Sequence, residues 1–345
     1  MKGHERNQLA KKIEEVDDST FDSLALAVFA YQARYNEVYA RYLDLLRVGV
    51  QTVSHIADIP PLPISCFKQH QLRTGSWEPV QVFTSSGTTK TQTSSHFLRS
   101  EAWYRYHASR TFEAQYGPLE EYVILALLPA YLERTNSSLV YMVQSFMEKA
   151  PCKDSGFYLY NQEDLIKKLK MLSDHNQKFL LIGVSFALLD LASVLAKDPI
   201  RIPKNSIVME TGGMKGRRKE MTRSDLHRAI AAGFQPSNEG IVTPIDIHSE
   251  YGMTELLSQA YAPDTGRFFP APTLRVFCRE LTDPLRIRTD GKTGAINCID
   301  LANLDTISFI ATDDLGRTHP DGSFEILGRM DYSDTRGCNL LYQGS

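Results

Sequence analysis

Cysteine is scarce in this chain: five residues, Cys66, Cys152, Cys278, Cys298 and Cys338, are scattered over 345 positions with no CxxC pair. They are too few and too dispersed for a disulfide framework, so any cysteine that matters acts as a thiol. Long apolar runs are absent as well, since nothing approaches the ~18 residues of a membrane span. The opening stretch "MKGHERNQLAKKIEEVDD" is polar where a signal peptide carries an apolar core. The cytoplasm is therefore the expected compartment, without stable membrane insertion. An excess of charge of one sign is missing too: 38 Lys and Arg against 41 Asp and Glu give a formal net charge of -3. That balance gives no electrostatic reason to expect nucleic acid or an anionic membrane as partner. Internal repeats and low-complexity tracts are also lacking.

What is present is ordinary globular material, 42% hydrophobic and 23% charged, enough to bury a large core. From Phe21 to about Val48, apolar residues recur at helical spacing behind Ser19 and Thr20, predicting a helical hairpin or one long helix. The prolines of "IPPLPISCFKQHQL" argue against regular structure there. Beyond it, strand-like runs ("VQVFTS", "YVILALLP", "KFLLIGVS", "NSIVMETGG", "PIDIHSEYG") alternate with amphipathic helical ones. The alternation predicts an α/β fold with helices flanking β-sheets. From about Phe268 the helical patterns stop, and "LRVFCREL", "GAINCIDLA", "TISFIATDDLG" and "SFEILGRM" read as short strands. The expected organisation is an α/β domain over 1–265, a small β-rich subdomain over 266–331, and an arm over 332–345 carrying Cys338.

Between "VQVF" and the helical "SEAW" run lie Thr84, Ser85, Ser86, Gly87, Thr88, Thr89 and Lys90. A Ser/Thr/Gly loop between a strand and a helix offers backbone N–H groups and hydroxyls to one anion, and Lys90 adds a positive charge, so the stretch reads as a phosphate cradle. The GxxxxGK[ST] spacing of the nucleotide P-loop is absent here and around "DGKT". Downstream follow "METGGMKGR", "HSEYGMTELLSQAYA", "FIATDDLGR" and "ILGRMDYSDTRG", in that order. This set resembles the adenylate-forming superfamily of acyl-CoA synthetases, peptide-synthetase adenylation domains and firefly luciferase, in which a phosphate loop, a YGxTE motif, an acidic ribose motif and a GRxD motif occur in the same sequence order.

The resemblance implies ATP and Mg²⁺ as cofactors and a carboxylic acid as substrate. Activating a carboxylate brings two anions together, so the site must supply N–H donors, cations and a metal ion. By resemblance, Ser85, Ser86, Gly87, Thr88, Thr89 and Lys90 hold the ATP phosphates, Thr254 reaches the α-phosphate and Glu255 ligates Mg²⁺. Tyr251 stacks on adenine, Gly212 and Gly213 let backbone approach the base, and Asp314 and Arg329 take the ribose hydroxyls. Asp313 stands where the superfamily usually has Gly, which leaves both acids as candidates for the ribose.

The sequence given stops at Ser345, where typical relatives continue into a mobile domain bearing a catalytic lysine. With "FAYQARYNEVYARYL", "IPPLPISCFKQHQLRTG" and "TSSGTT", the chain looks like the LuxE-type acyl-protein synthetases, which move an activated fatty acyl group from AMP onto their own cysteine near the C-terminus. That likeness implies Cys338 as acceptor, beside Arg336, and a reductase or transferase as the next protein acyl acceptor; a thiolate is a good nucleophile near neutral pH. The other four cysteines are expected to be core or partly buried thiols. Apolar walls for the acyl chain are expected from "LLPAYLERTNSSLVYMV" and "LIGVSFALLDL". Three rivals stand beside this reading. Gly183, Ser185 and Ala187 make a GxSxA close to a hydrolase nucleophile elbow, a CoA ligase resembling phenylacetate-CoA ligase would share the nucleotide motifs, and a non-catalytic nucleotide-binding protein would keep them without turnover.

Overall fold

The computed structural model describes residues 2–85, 93–128, 136–159, 161–212, 221–236, 245–264 and 266–330. Three helices come first, α1 (Lys2–Glu14), α2 (Phe21–Tyr35) and α3 (Glu37–Leu46). Of the two arrangements expected from Phe21 to about Val48, a helical hairpin or one long helix, the chain forms two helices, broken at Asn36, whose side chain accepts a hydrogen bond from the Tyr39 amide and caps α3. α1 escapes the periodicity reading because its exposed surface is almost wholly polar. The proline-rich stretch, expected to be irregular, contributes a two-residue strand β1 (Leu62–Pro63) and a single turn α4 (Cys66–Gln69). Pro63 is tolerated because β1 is an edge strand and loses no essential ladder donor.

A hairpin, β2 (Gln81–Thr84) and β3 (Ser95–Leu98), precedes α5 (Glu101–Tyr116). The chain then alternates as predicted: β4 (Val123–Leu127), α6 (Ser138–Lys149), β5 (Gly156–Tyr158), α7 (Gln162–Asp174), β6 (Phe179–Val184), α8 (Ser185–Leu195), β7 (Ile200–Ile202), β8 (Ile207–Thr211), α9 (Arg223–Ala231), β9 (Phe234–Pro236) and β10 (His248–Tyr251). Strands β11 (Ala260–Ala262) and β12 (Phe269–Pro270) complete a sheet of order β12-β11-β10-β8-β6-β4-β5, in which β10, β8, β6, β4 and β5 run parallel. Every residue of β4, β6 and β8 is buried, as expected for strands covered on both faces.

The later strands β13 (Leu274–Arg279), β14 (Ile287–Arg288), β15 (Gly294–Asp300), β16 (Phe309–Thr318) and β17 (Phe324–Arg329) form a second sheet, closed on one side by β1 pairing parallel to β16. The N-terminal helices pack on this sheet. Phe29 meets Phe309 edge-on at 5.9 Å between ring centroids, and Tyr39 stacks on Phe309 at 6.0 Å. Gln32, fully buried, donates to the carbonyls of Asn303 and Leu304 and fixes the turn that follows β15. The α/β architecture anticipated from the sequence is thus present. Among the described residues, no helix is long and apolar enough to cross a membrane.

Candidate active site

The carboxyl ends of β4, β6, β8 and β10 lie side by side, with Leu127 opposite Gly183, Val184 opposite Thr211 and Thr211 opposite Glu250. In open α/β sheets, the crevice beyond such ends is where ligands bind. The segment Gly252–Glu255 leaves β10 there, and buried side chains fix its backbone. His96 on β3 sits 2.7 Å from the Thr254 carbonyl through Nδ1 and 3.1 Å from Thr306 Oγ1 through Nε2. A carbonyl can only accept, so Nδ1 carries the proton and Nε2 takes the threonine hydroxyl. Asn303 Nδ2 donates to the Glu255 carbonyl at 2.8 Å. Asp300 accepts the amides of Leu257 at 2.8 Å and Ser258 at 2.9 Å, and the Ser258 hydroxyl at 2.6 Å. His96, Asn303 and Asp300 are all fully buried.

β3 is also the strand on which the hydroxyl-rich loop ends. The base of that loop is closed by the Ser85 amide bonding the Ser94 carbonyl and by the Ser94 amide bonding Ser85 Oγ at 2.9 Å. His96 therefore couples the loop's far end to Thr254 and Glu255. The Glu255 side chain is 7% exposed; burial raises its pKa, opposed in part by a hydrogen bond from Ser94.

Tyr251, Asp314 and Arg329 come from β10, β16 and β17 and meet. The Tyr251 hydroxyl donates to Asp314 Oδ2 at 2.8 Å, and Arg329 Nε donates to Asp314 Oδ1 at 3.1 Å. Burial, with the Asp314 charge adding to it, holds the Tyr251 phenol well above its ordinary pKa. The Tyr251 ring lies against Phe268 and Phe324 at 5.7 and 5.3 Å between centroids. Asp314 is buried, whereas Asp313 is half-buried and its carbonyl accepts the Met330 amide at 2.8 Å.

A polar cluster missed in the sequence lies on the α9 side of the sheet. Glu210 accepts from Ser249 Oγ at 2.7 Å and Ser185 Oγ at 2.9 Å, and Arg223 Nε is 3.7 Å from its carboxylate. Burial pushes the Glu210 pKa up, but His227, Arg223 and the two serines outweigh it and leave it below the ordinary value. Ser185 Oγ is also 2.5 Å from the carbonyl of Gly212, which sits at φ 68°. That left-handed backbone suits glycine and turns the chain away from the end of β8. The serine of the GxSxA stretch is thus committed to Glu210 and Gly212; His227 bonds Ser249 instead, and no serine–histidine pair forms at Ser185 among the described residues. On the opposite face, Thr211 donates to the buried Glu250 carboxylate.

Of the residues singled out in the sequence, Ser85, Gly212, Tyr251, Thr254, Glu255, Asp314 and Arg329 are described. Ser86, Gly87, Thr88, Thr89, Lys90, Gly213 and Cys338 lie outside the described residues. Cys278 and Cys298 are buried and Cys66 half-buried as expected, but Cys152 is exposed, because the turn after α6 carries it to the surface. The described parts of the two stretches expected to wall an acyl chain, including Leu127, Met142, Val143 and Leu181 to Leu191, are mostly buried in the core, and residues 129–135 lie outside the description. His96, Asp300 and Asn303 gave no sequence signal beyond being polar. Glu210 did: it is a carboxylate inside an otherwise apolar run buried on both faces.

His96 yields an expectation for stability. Burial pushes its pKa down to about 4, against about 6.5 when unfolded. The folded state then binds fewer protons, so this contribution is present above pH 6.5 and is lost as pH falls toward 4. His107, pushed to about 3, and His248, pushed to about 4, act in the same direction. His96→Ala is expected to cost roughly 2–4 kcal/mol at neutral pH through a cavity and the loss of the donor to the Thr254 carbonyl. His96→Asn, which keeps a donor near the Thr254 carbonyl, is expected to recover part of that and flatten the acid limb. Urea unfolding from pH 8 to pH 4 measures both effects.

No curated protein matches the sequence. Solved structures share its fold: ATP-bound MatB from Rhodopseudomonas palustris (17% identity, TM-score 0.50, covering 72% of this chain and 47% of that one); a long-chain-fatty-acid-CoA ligase, FadD1, from Archaeoglobus fulgidus (14%, 0.51, 73% and 52%); and an o-succinylbenzoate CoA synthetase, MenE, double mutant from Bacillus subtilis (15%, 0.50, 74% and 50%). The chain spans about half the length of these proteins. This likeness shows the fold of the adenylate-forming enzymes' large domain. The sequence as a whole matches the family described as "Acyl-protein synthetase, LuxE" over residues 8–344. The chain is therefore a member of the LuxE acyl-protein synthetase family.

Proposed function

We propose that this chain activates a carboxylic acid with ATP and then carries the acyl group on its own Cys338 before passing it to a protein acceptor. The observation that supports the reading most is the meeting of Tyr251, Asp314 and Arg329 beside a rigidly held Thr254 and Glu255, in a chain of the acyl-protein synthetase family. In the first half-reaction a carboxylate oxygen of the acid attacks the α-phosphorus of ATP, the bond to the β-phosphate breaks and pyrophosphate leaves. The Thr254 hydroxyl donates to the α-phosphate. His96 and Asn303 keep Thr254 and Glu255 from relaxing as charge moves between phosphates, which is the preorganisation such a step requires.

Asp314 takes the ribose hydroxyls, with Arg329 and the Tyr251 phenol orienting its two oxygens. Gly212 lets backbone approach the base, with Ser185 fixing its carbonyl. Among the described residues, no group of three or more His, Cys, Asp or Glu could hold a metal by itself. The single carboxylate of Glu255 fits Mg²⁺, a hard ion usually held by one or two carboxylates plus substrate phosphates, and there it would offset the charge repulsion between the two anions.

In the second half-reaction the Cys338 thiolate attacks the acyl carbon, the bond to AMP breaks and AMP leaves. Exchange of radiolabelled pyrophosphate into ATP tests the activation step: the rate should depend on an added carboxylic acid and on Mg²⁺. Exchange that never responds to any acid, in protein that still binds ATP, would remove the reading.

A further inference from the structure

The segment that leaves β10 owes little of its position to its own backbone. Within it the Leu256 amide bonds the Met253 carbonyl at 3.1 Å, while the carbonyls of Thr254 and Glu255 and the amides of Leu257 and Ser258 are bonded to the side chains of His96, Asn303 and Asp300. The first two of those bonds trace to one tight turn, 303–306, closed by the Thr306 amide on the Asn303 carbonyl at 3.0 Å. Asn303 Nδ2 donates to the Glu255 carbonyl, and the Thr306 hydroxyl donates to His96, which in turn holds Thr254. A shift of this turn therefore carries Thr254 and Glu255 with it.

The other face of the turn is gripped by the N-terminal part of the chain. Asn36 Nδ2 and the Thr74 hydroxyl donate to the Thr306 carbonyl at 2.8 and 2.5 Å, and the Thr74 amide donates to the Asp305 carbonyl at 2.8 Å. Gln32 of α2 donates to the Asn303 and Leu304 carbonyls. These partners are neutral, and Asp305 adds charge. Both of its oxygens take Arg6 of α1, at 3.0 Å from Nε and 2.5 Å from a terminal nitrogen, and one takes Arg99, just past β3, at 2.9 Å. A two-pronged arginine–carboxylate contact fixes orientation as well as distance. The Arg6 guanidinium also lies 5.5 Å over the ring of Trp103, whose Nε1 donates at 2.8 Å to the Ala302 carbonyl, immediately before the turn.

Docking of α1 does not require this pair, because Leu9, Ala10 and Ile13 already bury one side of the helix in the core. The Arg6 and Asp305 side chains are only 14% and 9% exposed, so both charges give up most of their hydration. A buried pair of that kind is often no more stabilising than apolar residues of the same volume. Stability alone does not account for it, and a fixed geometry is what it supplies. Resting on the acid-activating reading above, we propose that Asp305 and Arg6 are positioning residues for the adenylation step: α1 clamps the 303–306 turn, and the turn keeps Thr254 and Glu255 in register with the reacting phosphate. Neither residue touches substrate. The signature is loss of turnover with nucleotide binding retained, since misplacing a reacting group by about 1 Å can cost ~100-fold in rate while contacts to ribose and base persist.

The test combines pyrophosphate exchange, thermal melting and amide hydrogen exchange over residues 252–258, on the full chain and on Asp305→Asn, Arg6→Met, the double variant and Ile13→Val. Methionine keeps an apolar stem against Trp103 and loses the fork. Ile13→Val loosens α1 in the core without touching Asp305 and so reports loss of helix packing alone. Asp305→Asn should lower kcat about tenfold and Arg6→Met about threefold, with the KM for ATP within about threefold of wild type and hydrogen exchange over 252–258 quickened in both. If Arg6 acts through Asp305, the double variant should turn over no more slowly than Asp305→Asn, because effects within one network do not add. Should Asp305→Asn fail to fold, Arg6→Met against Ile13→Val decides. Lower melting temperatures with kcat unchanged, or a kcat that falls equally in Ile13→Val, would overturn the clamp while leaving acid activation intact. A wild type with no acid-dependent exchange, although ATP still shifts its melting temperature, would overturn the acid-activating reading and the clamp with it.

Discussion

Asp314→Ala is expected to raise the KM for ATP by about 100-fold, whereas Asp313→Ala should leave it within about threefold. Both acids occupy the "TDDLG" stretch, and sequence leaves the choice between them open. The geometry separates them: both oxygens of buried Asp314 are oriented by groups from other strands, the Tyr251 hydroxyl at 2.8 Å and Arg329 Nε at 3.1 Å. Asp313 alternates to the other face of β16 and is half-buried. Hydrogen bonds to a charged acceptor are worth about 1.5–3 kcal/mol each, and two ribose hydroxyls lost at the low end already correspond to about 100-fold.

A structural side effect must be told apart from this, because Asp314→Ala also strands the Tyr251 phenol in an apolar setting. Asp314→Asn is the control: its amide can still accept from Tyr251, yet it no longer offers the ribose two anionic oxygens. The prediction holds if Asn melts near the wild type while its KM for ATP rises at least tenfold with the KM for the acid little changed. Equal effects on both substrates would point to a collapsed site rather than a lost ribose contact.

The comparison of sequence with structure shows where local pattern suffices. Strands β4 and β6 are continuous apolar runs and β8 is one interrupted by Glu210, and helices such as α7 carry a clear apolar stripe, so each could be placed from its own residues. The site motifs were readable because each is a compact local stretch, as Tyr251 to Glu255 is, and the stretches follow one another in a fixed order. The residues that hold them were not. His96 reaches Thr254 across 158 positions, Asp300 reaches Leu257 across 43, and Gln32 reaches Asn303 across 271. Nothing local marks a polar residue as the support of a loop so distant in sequence.

The same limit explains β1, a two-residue strand whose identity depends on finding Ile310 and Ala311. The GxSxA stretch, an imperfect match to a nucleophile elbow, has its serine taken by Glu210 and Gly212. A charged residue inside a fully buried run, Glu210, was the sequence signal of further polar chemistry.

Cys338→Ser carries the other large effect, complete loss of the covalent acyl group. Adenylation needs only the nucleotide residues, so the variant should still release pyrophosphate in the presence of an acid. It lacks the thiol that must displace AMP, and a serine hydroxyl is too weak a nucleophile at neutral pH to replace it. The central claim, self-loading with an activated acid, is therefore tested most directly by intact-protein mass spectrometry of wild type and Cys338→Ser. Each is incubated with ATP, Mg²⁺ and a panel of carboxylic acids from short to long. The account predicts one hydroxylamine-labile adduct in the wild type, dependent on ATP and absent from Cys338→Ser, whose added mass identifies the acid. An adduct that persists in Cys338→Ser, or pyrophosphate release with no adduct on the wild type, would contradict it and place the acyl acceptor elsewhere.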